Sequence, residues 1–194
     1  ADDDERVRRA ARIAVEAGLF YMPWIRGTQV STGPAEERAT AADGRTGNLA
    51  SPNSTALWDT WHERLLFYAR LSRDVPSLLG VFMDFENYDT VKVGGGMCYE
   101  LSYDAPILQR FAEDRGLVLP EPLPAARAAW LKAQGVEEAF RAFQTEEWRR
   151  RARELRDAID TINPAFQFAV YPAGHSLFIK EAVWREWHTQ AAPL

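Results

Sequence analysis

The chain has 194 residues, 23 Lys plus Arg against 28 Asp plus Glu, a formal net charge of −5, 46% apolar and 26% charged residues. That globular composition excludes a disordered tail, a collagen-like repeat and a disulfide-stapled miniprotein, because the one cysteine, Cys98, has no internal partner. The acidic balance argues against nucleic acid as a partner, and no apolar run reaches the ~18 residues of a membrane span.

Glu5 to Ala17 carries Val7, Ala10, Ala11, Ala14 and Val15 at helical spacing, and Gly18 suits a helix C-terminus. Leu19 to Ile25 is a short apolar run expected to be a buried strand, weakened by Pro23. Residues 26–53, rich in Gly, Ser, Thr, Ala and Asn, are expected to be a long loop. Ser54 is a plausible N-cap for a helix carrying Leu57, Trp61, Leu65 and Tyr68 on one face and ending near Arg73. Leu78 to Glu86 is a second strand, and residues 87–102, with Gly94, Gly95 and Gly96, form a second long loop. A short helix spans Ala105 to Arg115, closed by Gly116, and Pro120, Pro122 and Pro124 make a stiff connection. Helices follow at about 125–134 and 136–162. Phe166 to Tyr171 is a third strand, and Leu177 to Thr189 a last helix.

Strands alternating with helices imply parallel pairing with right-handed crossovers. Connections into the strands are short, and those leaving the first two are long. Strand-to-helix loops gather at the C-terminal edge of a parallel sheet, where α/β proteins place their sites.

At that edge Phe82-Met83-Asp84-Phe85-Glu86-Asn87-Tyr88 turns from apolar to acidic. Strand alternation puts Asp84 and Glu86 on one face, two residues apart. Neighbouring carboxylates beside apolar walls raise each other's pKa, so one can act as a general acid while the other stays anionic. Salt-bridge or capping duty is the plain alternative for two acids in a chain with 20 arginines.

The run Leu79 to Glu86, followed by Tyr88, resembles the acidic strand of TIM-barrel glycoside hydrolases and is similar to the Asp-x-Asp-x-Glu strand of chitinase-like enzymes; the first Asp of that pattern is Phe82 here. The segments Trp58 to Leu71 and Ile162 to Pro172 look like those of uncharacterised bacterial glycosidase-like barrels. The resemblance implies a catalytic pair of Glu86 as general acid and Asp84 as its assistant, a carbohydrate substrate, no cofactor, and a secreted or periplasmic setting. Tyr21, Trp24, Tyr88 and Tyr171 are candidate sugar-stacking residues, and His175 a candidate hydrogen-bonding group. Trp58, Trp61, Trp148, Trp184 and Trp187 are expected to pack, and His62 and His188 to be ordinary helix residues. Alternatives are a non-catalytic carbohydrate-binding or scaffold fragment and a metal-dependent hydrolase using Asp84, Glu86 and His175, although no metal site is expected from ligand spacing.

The expected fold is therefore α/β, a single domain over 1–194 of parallel (β/α) units, TIM-barrel-like. Three strands fall short of the eight that close a barrel. The expectation is a partial barrel whose apolar edges are covered by a homo-oligomeric partner or by the missing remainder of the barrel.

Overall fold

A computed structural model describes residues 2–26, 34–85, 101–171 and 177–188. In chain order the elements are α1 (Asp2–Glu16), β1 (Trp24–Arg26), a 3-10 turn (Ala35–Glu37), β2 (Arg38–Thr40), β3 (Thr46–Ala50), α2 (Thr55–Asp74), β4 (Gly80–Asp84), α3 (Ala105–Arg115), α4 (Arg127–Ala133), α5 (Glu137–Asp160), β5 (Gln167–Tyr171) and α6 (Leu177–Trp187).

The helix ends follow from local chemistry. Gly18 adopts φ +65°, and α1 closes with Gly18 N–H donating to Val15 O at 3.0 Å and Leu19 N–H to Ala14 O at 2.8 Å. That pair of bonds is a Schellman cap, which needs a left-handed residue at its centre. The Ser54 hydroxyl accepts the Leu57 N–H at 3.2 Å and starts α2. The Asp104 carboxylate does the same for Ile107 N–H at 3.1 Å and starts α3.

Strands β1, β4 and β5 form a parallel sheet in the order β1-β4-β5. Trp24 lies opposite Phe82 and Arg26 opposite Asp84; across the other ladder Gly80 faces Gln167 and Asp84 faces Tyr171. Pro23 has no N–H, yet its carbonyl accepts Phe82 N–H at 2.9 Å, so the chain follows β4 before the ladder proper begins at Trp24. Between β4 and β5 the approach is close. A Cβ placed on Gly80 would lie 1.8 Å from the Gln167 carbonyl oxygen.

Val81, Met83 and Phe168, alternate residues of β4 and β5, are buried in the main core with α2, α5 and α6. Aromatic rings fill its centre: Phe168 stacks on Trp187 at 4.4 Å between centroids, and Trp61 meets Phe85 edge-on at 5.8 Å. Trp58, Trp61, Trp148 and Trp187 pack as expected, Trp184 is partly exposed, and His62 and His188 are exposed. Arg156, buried on α5, ties that helix to the start of β5 by donating to Phe166 O at 2.8 Å while pairing with Asp160. A second, smaller core joins α3, α4 and α5 through Ile107, Leu108, Phe111, Leu131 and Phe140.

Two expectations are corrected. The segment 26–53 is not simply a loop: β2 and β3 pair antiparallel as a separate two-stranded sheet. Its turn is held by Asp43, whose carboxylate accepts Arg45 N–H at 3.2 Å, beside Gly44 at φ +84°. Few large apolar residues mark these strands, so the alternation that betrays a strand is faint.

The fold is also not a TIM barrel or a recognisable section of one. It is an α/β fold with two small open sheets of three and two strands. A barrel closes on eight parallel strands, whereas among the described residues β1 and β5 end the parallel sheet unjoined. Alternation of elements dictates the direction of pairing, but not the number of strands or their closure.

Candidate functional site

At the C-terminal end of the parallel sheet, Asp84 closes β4 and is 9% exposed. Its Oδ2 accepts a hydrogen bond from Trp24 Nε1 at 3.1 Å. Trp24 sits one step back on the neighbouring strand, opposite Phe82, so its indole reaches forward along the sheet to the carboxylate. The Arg26 guanidinium lies 4.9 Å from the centre of the Trp24 ring, a cation–π contact on an indole that is 52% exposed. The indole N–H cannot titrate and donates only. Held this way, the Asp84 carboxylate is an acceptor within the sheet edge, which explains a polar residue at the end of an apolar strand.

Of the remaining expected site residues, Tyr21 alone has a described side chain, and it does not join Asp84. Tyr21 lies at the other end of the sheet, bridged to Leu78: its N–H donates to Ser77 O at 2.7 Å and its carbonyl accepts Leu79 N–H at 3.1 Å. Burial pushes the Tyr21 phenol above its ordinary pKa, with Arg6 opposing the shift. Tyr171 is placed by its backbone alone, opposite Asp84, and its side chain lies outside the described residues. Glu86, Tyr88 and His175 lie outside them entirely.

The glycoside hydrolase reading is corrected on the fold. The general acid and its assistant were expected at the mouth of a barrel, and the sheet is an open three-stranded one. Of the set Asp84, Glu86 and His175 expected for a metal-dependent hydrolase, only Asp84 is among the described residues. No group of three or more His, Cys, Asp or Glu among the described residues could hold a metal ion. Of the two acids that end the run Leu79 to Glu86, Asp84 accepts the Trp24 hydrogen bond and Glu86 lies outside the described residues.

A buried polar cluster went unnoticed in the sequence. Asp104, besides capping α3, accepts from Ser51 Oγ at 2.6 Å and Asn53 Nδ2 at 3.2 Å. Asn53 also donates to Gln144 Oε1 at 2.9 Å and accepts from Trp148 Nε1 at 2.7 Å. Gln144 Oε1 takes Ser102 N–H at 3.1 Å as well. Apart from Gln144 Nε2, a buried donor without a hydrogen-bond partner, these groups engage one another and lock the end of β3, the start of α3 and the middle of α5 together, a structural role. The available signal was Asp104-Ala105-Pro106, an acid just ahead of a proline in a first helical turn.

The opposite, N-terminal end of the sheet is different in kind. The Schellman cap turns the chain so that Leu19 and Phe20, expected inside a buried strand, face outward with 62% and 75% exposure. With Val15, 51% exposed, and with Gly18, Pro76 and Ser77, they line an open cavity of about 380 Å³. Large apolar side chains gathered in one place mark an interaction surface more often than a chance exposure. No described helix is long and apolar enough to cross a membrane. Comparison with protein-family models, with characterised proteins and with solved structures finds no match to this chain.

Proposed function

We propose that this chain is a protein-association domain that docks on a second copy of itself through the N-terminal end of its parallel sheet. The observation that carries this reading is the exposure of Leu19 and Phe20 beside Val15 around one cavity. Full burial of a Leu or Phe side chain contributes about 1.5–3 kcal/mol, so covering the two with their surroundings supplies the central part of an interface. The adjoining α1 surface supports an identical partner. Exposed Arg8, Arg9 and Arg12 share it with exposed Glu5 and Glu16, so it offers both signs of charge to itself.

Sedimentation equilibrium at micromolar concentration tests the proposal. A dimer is expected for the natural chain and a monomer for Phe20→Asp, with the same circular dichroism spectrum for both. A natural chain that stays monomeric throughout the concentration series overturns it, as does a dimer indifferent to Phe20→Asp.

A further inference from the structure

A second surface lies away from both ends of the sheet. Gly116, at φ +63°, turns the chain back on α3, with Leu117 N–H donating to Ala112 O at 2.8 Å. The returning segment 117–123 then runs beside the helix. Between them is a groove of about 540 Å³, within the size range of ligand sites. Leu117, Leu119 and Leu123 make its apolar wall, and Ala105 and Ala112 contribute small side chains from α3. Pro106 and Pro120, which also line it, bring no backbone N–H, so these parts of the wall present no donor.

The rim has one sign. Glu36 comes from the 3-10 turn, Glu113 from α3 and Glu121 from the returning segment; all three are exposed, and no Lys, Arg or His among the described residues lines the groove. Glu113 accepts a hydrogen bond from Gln109 at 2.9 Å, which leaves its charge intact. Carboxylates around a low-dielectric floor concentrate cations. Lys and Arg carry apolar stems below their charges, so they match a groove that is greasy inside and anionic at its edge.

We infer that this groove docks a short basic and apolar segment of a partner polypeptide, apolar side chains against Leu117, Leu119 and Leu123 and Lys or Arg heads at Glu36, Glu113 and Glu121. The occupant is a separate partner, so the inference does not rest on self-association.

Fluorescence anisotropy with a fluorescein-labelled peptide alternating Leu and Arg tests it, against a matched Leu and Glu peptide. The Leu/Arg peptide is expected to bind the natural chain, and Glu113→Lys with Glu121→Lys to weaken it about tenfold or more. Both positions are exposed, so the fold is retained. Leu119→Ser is expected to weaken binding too, which separates docking in the groove from attraction to charge alone. Phe20→Asp is expected to leave it unchanged. Equal binding of the two peptides, no loss on charge reversal, no loss on Leu119→Ser, or equal binding of a small alkylamine in place of the peptide overturns the inference.

Discussion

The two ends of the parallel sheet solve opposite problems with the same three strands. At the C-terminal end a carboxylate, an indole N–H and a guanidinium meet, and each is engaged: Asp84 with Trp24, Arg26 with the Trp24 ring. At the N-terminal end the side chains are apolar, and Leu19 and Phe20 face outward. Polar groups at a sheet end can satisfy one another within the molecule. Apolar groups there can only be satisfied by being covered. An acidic residue at a strand end therefore says less about chemistry than it seems to promise, and an exposed Phe beside a helix cap says more about association.

The sharpest way to break the comparison is to remove the frame that joins the two ends. Gly80→Ala places a Cβ against the β5 backbone at Gln167. The expected loss is ~3 kcal/mol or more, read as a lowered urea midpoint, and both ends should fail together. Phe20→Asp comes next: the largest change expected in association, with unfolding stability within ~0.5 kcal/mol of the natural chain when both are unfolded at concentrations low enough to keep them monomeric, as for other exposed substitutions. Trp24→Phe keeps an aromatic ring on β1 and deletes the hydrogen bond to Asp84. It should cost ~1 kcal/mol in urea unfolding and leave the sedimentation profile unchanged. If Trp24→Phe disrupts association, the two ends are not separable in the way described.

The last test belongs to neither end and serves as a control. Glu147 on α5 accepts from Arg150 at 2.9 Å and pairs with Arg110, and these arginines, against the opposing effect of burial, hold its carboxyl at about 2, below its ordinary 4.5. A depressed carboxyl pKa adds stability above the unfolded value, and that contribution is lost as pH falls toward the folded one. The natural chain should therefore exceed Glu147→Gln in urea midpoint at neutral pH, with the gap closing between pH 4.5 and pH 2. A gap that does not change over that window would show that the arginine pairs add no net stability.

Much of the secondary structure is legible in the sequence because its signals are local. Gly18 and Gly116 mark helix ends by the positive φ they adopt, and Ser54 caps α2 through its own hydroxyl. The periodic Leu57, Trp61, Leu65 and Tyr68 are all buried. What is not legible depends on contacts between distant segments. The β2–β3 hairpin rests on a turn and on pairing rather than on an apolar pattern. The partners that engage Asp104, Ser51 and Asn53, lie more than fifty residues earlier in the chain. The outward turn of Leu19 and Phe20 follows from the geometry of the cap, which composition does not reveal. The barrel expectation failed for the same reason: closure is a property of strand number and register, and neither is written in a short motif.

The Asn53 cluster has a consequence for how the chain can be divided. Asn53 is bonded to Gln144 and Trp148, more than ninety residues further on, while β4, between them in sequence, pairs with both β1 and β5. Threads that cross this way leave no seam. A cut between residues 53 and 144 would strand a buried amide or carboxylate on one piece without its partner on the other, at the cost of an orphaned polar group. Neither half should persist alone as a folded unit. Recombination breakpoints that exchange one part of the chain for another would be tolerated outside this span more readily than within it.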